Sequence, residues 1–128
     1  MTAMSTDVGP RSLVVKITCG AEAAERANQA WTVAAMAIAA GADVTVWLTG
    51  DAVWFAVPGR QPDLALPHAT AVGDLVETVR VGGRIRVCSQ CAARRELTAP
   101  DLIPDAQIAG AAQFVETILV AQTQALVY

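Results

Sequence analysis

The chain has 128 residues, nine Lys and Arg against twelve Asp and Glu, one histidine, three cysteines and a net charge of −3. A pI near 4.9 argues against general nucleic-acid binding, which needs a basic surface. Hydrophobic residues make up 54% of the chain, but the longest uncharged run, Ala27 to Ala42, is too short and too polar to span a bilayer.

The length suits one domain with a real core. Met1 to Arg11 is polar, carries Gly9 and Pro10, and reads as a flexible arm ahead of a single domain over 12–128. The arm has no apolar stretch of signal-peptide type. Free thiols in a reducing, cytoplasmic setting are therefore expected.

Ser12 to Cys19 is a near-continuous apolar run, the pattern of a strand buried on both faces of a parallel sheet. After Gly20 an alanine-rich helix is expected to about Ala40, with Ala24, Ala27, Trp31, Ala34 and Ile38 on its inner face. Gly41 occupies the place of a helix C-terminal glycine. Asp43 to Leu48 is a second, β-branched strand. Asp51 is an expected N-cap for a short helix reaching Val57. Pro58 to Thr70 reads as an irregular loop.

Val72 to Val81 is a helix stopped by Gly82-Gly83, and Arg84 to Cys88 is a third strand. Gln90 to Arg95 is a short helix, and Glu96 to Pro104 a loop. Ala106 to Ala109, Ala111 to Ala121 and Thr123 to Tyr128 read as strand, helix and strand. Alternation of strands and helices predicts an α/β fold: a five-stranded, mainly parallel sheet with helices on both faces. Chemistry in such sheets gathers at the carboxyl ends of strands, where Cys19 and Cys88 both fall.

Cys88 ends a strand, precedes a helix and lies among five of the basic residues: Arg80, Arg84, Arg86, Arg94 and Arg95. Helix-start amides and positive charge favour a thiolate, the nucleophilic form of cysteine. The arginines form either a solvated face or an anion-attracting mouth around the thiol. Cys91 completes a C-x-x-C, as a resolving thiol or as a small packing residue. Cys19 reads as the end of a buried strand. His68, in a loop, reads as solvent-facing, with a role as base for Cys88 unsupported. No zinc site is expected from one histidine and three cysteines without a second C-x-x-C. The phosphate-binding glycine motifs and G-x-S-x-G are absent. Trp31 is expected in the core, and Trp54 at an interface or pocket.

The stretch Arg86-Val87-Cys88-Ser89-Gln90-Cys91-Ala92-Ala93-Arg94-Arg95 resembles the DsrE family, whose members include DsrE, TusD and YchN-type proteins. A cysteine after the third strand, a small-residue helix and a closing arginine pair are the TusD-like pattern; the C-x-x-C is YchN-like. The similarity runs from Ser12 to Tyr128. Glu96 departs from it, standing where a glycine often follows the arginine pair, so a different loop is expected there.

The resemblance implies a flavodoxin-like three-layer sandwich that assembles as a trimer or hexamer. It also implies a sulfur carrier whose Cys88 accepts sulfane sulfur as a persulfide and passes it to a partner thiol. Cys91 would be a helper, and Arg94 and Arg95 would hold the thiolate and an anionic donor, a persulfide or a thiosulfonate. Implied partners are donor and acceptor proteins or small persulfides, with no nucleic acid and no membrane. No cofactor and no metal are implied, since sulfur is the cargo. The alternatives are a C-x-x-C redox or sensing protein and a non-catalytic oligomeric binding module.

Overall fold

A computed structural model describes residues 11–128. The arm expected over 1–11 lies, apart from Arg11, outside the described residues. Among the described residues five strands are formed: β1 (Ser12–Ile17), β2 (Asp43–Leu48), β3 (Arg84–Cys88), β4 (Gln107–Ala109) and β5 (Thr123–Val127). Between them run α1 (Ala24–Ala39), α2 (Val72–Gly82), α3 (Ser89–Arg94) and α4 (Ala111–Ile118). The sheet order is β4-β3-β2-β1-β5, and every neighbouring pair is parallel.

Chain direction sets the layers. From β1 to β4 each step moves one strand the same way, and α1, α2 and α3 pack on one face. The connection from β4 to β5 returns across the sheet. A right-handed crossover in that direction must lie on the opposite face, and α4 lies there. The first face carries the main core. Val15, Ile17, Val44, Val46, Leu48, Ile85 and Val87 are buried beneath α1 and α2. Trp31 of α1 meets Phe55 edge-on, ring centroids 5.5 Å apart. The α4 face has a smaller cluster of Val14, Trp47 and Ala109 under Phe114 and Ile118.

Element ends differ from expectation by a few residues, for local reasons. β1 stops at Ile17, where its pairing with β2 ends at Leu48. The first helix opens with a 3-10 turn, Ala21–Ala23, held where Glu22 accepts the Gly20 N–H at 2.7 Å. α4 stops at Ile118, and the chain enters β5 through Gln122 at φ 66. Asp51 is not an N-cap: the 3-10 segment Gly50–Ala56 begins after Thr49, and Asp51 pairs with Arg95.

Gly41 caps α1 as expected, at φ 91, with its N–H on Ile38 and that of Ala42 on Ala37. Glu96 makes the same closure for α3. Its N–H bonds Ala93 and that of Leu97 bonds Ala92, with Glu96 in the left-handed region at φ 57. The loop therefore keeps the turn a glycine would make, despite the glutamate. A left-handed L-residue costs roughly 1–2 kcal/mol, and glycine returns about half of that as chain entropy. Glu96→Gly is expected to stabilise the fold by about 0.5–1 kcal/mol, read as a higher urea midpoint at unchanged slope.

Candidate functional site around Cys88

β3 and β4 lie side by side but send the chain to opposite faces. From β3 it passes into α3, whose Cys91 and Ala92 join the main core; from β4 it passes into α4. Adjacent strands that part in this way leave a crevice at their carboxyl ends. Cys88 lies in that crevice, beside Ala109 in the strand register.

The crevice is a pocket of about 130 Å³ lined by Lys16, Trp47, Thr49, Cys88, Ser89, Gln90, Ala109, Gly110, Ala111 and Phe114. Strand alternation explains the membership. Lys16 pairs with Trp47, Trp47 pairs with Arg86, and Cys88 lies two residues beyond Arg86. All four therefore belong to the α4 face. Trp47 stacks edge-on against Phe114 at 5.3 Å, and Lys16 Nζ lies 4.9 Å from the centre of the Phe114 ring.

Cys88 is half-buried at the start of α3. Burial pushes its thiol up. Hydrogen bonds from the Cys91 backbone and thiol and from the Gln90 backbone, with the charge of Lys16, outweigh that and hold it below the ordinary thiol range. Cys91 is buried, and its Sγ accepts the Gly50 N–H at 3.2 Å. Gly50 is at φ 56, and a Cβ there would lie 3.0 Å from the Thr18 carbonyl oxygen, so glycine suits this contact. Cys19 lies in the main core, on the other face. Burial and then Glu22 push its thiol up, against the pull of Arg26.

The five arginines, read as either a solvated face or a mouth around the thiol, do not line the Cys88 pocket, and Arg86 donates to the Ile85 carbonyl at 3.3 Å. Arg80 pairs with Glu77 and Asp105, and Arg84 pairs with Asp43 at the far end of β3. Arg95 donates to Asp51 at 2.8 Å and to the Cys91 carbonyl at 3.1 Å, tying α3 to the Gly50–Ala56 segment. Arg94 reaches Gln90 at 3.4 Å and Cys91 Sγ at 4.0 Å. Neither Arg94 nor Arg95 lines the Cys88 pocket. The cation that does is Lys16. Nothing in the local sequence around Cys88 signals it, because it comes from β1, two strands away.

Trp47, rather than Trp54, lines the pocket; Trp54 lies under the Arg60 guanidinium, 4.0 Å from its ring centre. His68, at φ 63, lines a separate hollow with Glu25, Asn28, Gln29 and Thr32 of α1. Among the described residues no group of three or more His, Cys, Asp or Glu is placed to hold a metal ion. No helix of the described residues is long and apolar enough to cross a membrane.

The DsrE/DsrF-like family profile matches residues 12–124. The chain belongs to that family. Its fold is similar to the crystal structure of the YchN protein from E. coli, with a TM-score of 0.77 and 16% identity over 92% of this chain and 99% of that one. It is also similar to MTH1491 from Methanobacterium thermoautotrophicum, a protein of unknown function. There the TM-score is 0.65, with 12% identity over 94% of this chain and 100% of the other. No curated protein matches the sequence. Family membership agrees with the resemblance carried by the Cys88 segment, and the DsrE-like α/β fold is the one expected.

Proposed function

We propose that this DsrE-family chain is a sulfur carrier of the sulfurtransferase type, with Cys88 as the accepting thiol. The Cys88 thiolate attacks the outer sulfur of a donor persulfide, the donor thiolate leaves, and Cys88 carries a persulfide that a partner thiol then removes. The observation that carries the reading is a half-buried thiol held below its ordinary range inside a pocket at the β3–β4 fork. Family membership supports it at the level of sulfur relay. The test is intact-mass analysis after exposure to a persulfide donor. The expected result is a gain of one sulfur atom that peptide mapping places on Cys88; a gain mapped to Cys91 overturns the assignment.

A second reading, thiol redox or sensing, is favoured by the C-x-x-C spacing, with Cys91 among the groups that hold the Cys88 thiol below its ordinary range. It requires a reversible Cys88–Cys91 disulfide on mild oxidation. Loss of two hydrogens in mass supports it, and two free thiols after oxidation exclude it.

Self-association with further copies is part of the proposal, in the trimeric or hexameric form that the family resemblance implies. β5 is an edge strand, and Val127 on it and Leu119 and Val120 just after α4 are 65%, 76% and 59% exposed. Open edges and exposed large apolar side chains both favour pairing with another copy. Light scattering is expected to give an oligomer that Leu119→Glu dissociates. A monomeric native chain removes this part of the proposal.

A further inference from the structure

Cys88 has one charged neighbour in its pocket, and that neighbour is available. Lys16 lines the same wall, and its side chain rests against the Phe114 ring rather than on a carboxylate. No ion pair engages Lys16 among the described residues, whereas Arg80, Arg84 and Arg95 are all taken up by acidic partners. The pocket holds no acidic residue, and Trp47, Ala109, Ala111 and Phe114 give it apolar walls. Among the described residues, a small space with a nucleophile, one free cation and no carboxylate discriminates against cations and favours a compact anion with an apolar body.

We infer that the sulfur donor at this site is a small thiosulfonate, its sulfonyl oxygens held by Lys16 and its outer sulfur presented to Cys88. The inference rests on Cys88 being the sulfur acceptor and names what it accepts from. The Cys88 thiolate attacks the outer, sulfane sulfur. The bond between that sulfur and the sulfonyl sulfur breaks, and its electron pair leaves with the sulfonyl group as a sulfinate. Cys88 becomes a persulfide anion. Charge and electrons balance without an external oxidant or reductant. Lys16 acts on both sides of the step, favouring the attacking thiolate and receiving the charge of the departing sulfinate.

Trp47 supplies a readout separate from the chemistry. It is 3% exposed, adjoins Lys16 in the strand register, lines the pocket, and its indole Nε1 has no hydrogen-bond partner. Its indole N–H resonance therefore reports on occupation of the pocket. The experiment titrates methanethiosulfonate anion into Cys88→Ser protein, which cannot turn over, and follows that resonance. A saturable shift is expected, retained by Lys16→Arg on the same background and weakened about tenfold or more by Lys16→Met. Absence of a shift, or equal affinity in Lys16→Met, overturns the inference. Loading of native protein from a neutral alkyl hydropersulfide tests the role of Cys88 separately. If that loading fails while the shift persists, the carrier reading falls and the anion site stands. If loading succeeds without a shift, the donor assignment alone falls.

Discussion

Cys88→Ser is expected to abolish sulfur loading completely, while Cys91→Ser still takes up one sulfur. The difference follows from where the two thiols sit. Cys88 lines the pocket, whereas Cys91 is turned into the main core and its sulfur is occupied by the Gly50 N–H. Serine keeps the size of Cys88 but its hydroxyl stays protonated and is a far weaker nucleophile towards sulfur. Intact-mass spectra of the two variants decide the matter, and loading of Cys88→Ser at the native level sinks the assignment.

The pH dependence has a definite sign. Cys88 is held below the ordinary thiol range in the folded chain. Its alkylation rate, which follows the thiolate, should therefore persist to lower pH than that of the same cysteine in urea. Lys16→Met should move the profile back up, since Lys16 is one of the causes of the shift. Linkage gives the matching stability effect. A thiol with a depressed folded pKa contributes stability that is fully present above its unfolded pKa. That contribution is lost as pH falls through the folded value. An alkylation profile unchanged between folded and unfolded chains would contradict this.

Trp31→Ala should cost about 3–5 kcal/mol, a large share of the roughly 5–15 kcal/mol typical of a domain. Trp31 is fully buried between α1 and the sheet and meets Phe55 edge-on. Its removal takes away apolar burial and leaves a cavity that backbone on both sides prevents from collapsing. The indole Nε1 of Trp31 has no hydrogen-bond partner. Trp31→Phe removes that unsatisfied donor along with part of the volume. It should cost less than half as much as alanine, because loss of an unpaired buried donor offsets some of the lost packing. Urea unfolding followed by circular dichroism measures both. Equal costs for the two substitutions would mean that the ring contributes little at this position.

The local sequence determined the elements and the thiol. Continuous apolar strands, alanine-rich helix and Gly41 follow from burial and from steric limits on φ, which act over a few residues. The same local reach placed Cys88 at a strand end before a helix, and carried the family resemblance. Charge spacing left two readings of the arginines open, a solvated face and a mouth around the thiol. Five of them are near Cys88 in sequence, yet strand length separates Arg84 from it, and acidic partners on other elements take up Arg80, Arg84 and Arg95.

Only the tertiary structure decided what surrounds the thiol. The return of the chain from β4 to β5 forces α4 onto the second face and opens the crevice. Strand register then brings Lys16, 72 positions away in sequence, and Trp47 to its wall. These partners are fixed by sheet order and crossover handedness, which no local pattern of residues encodes.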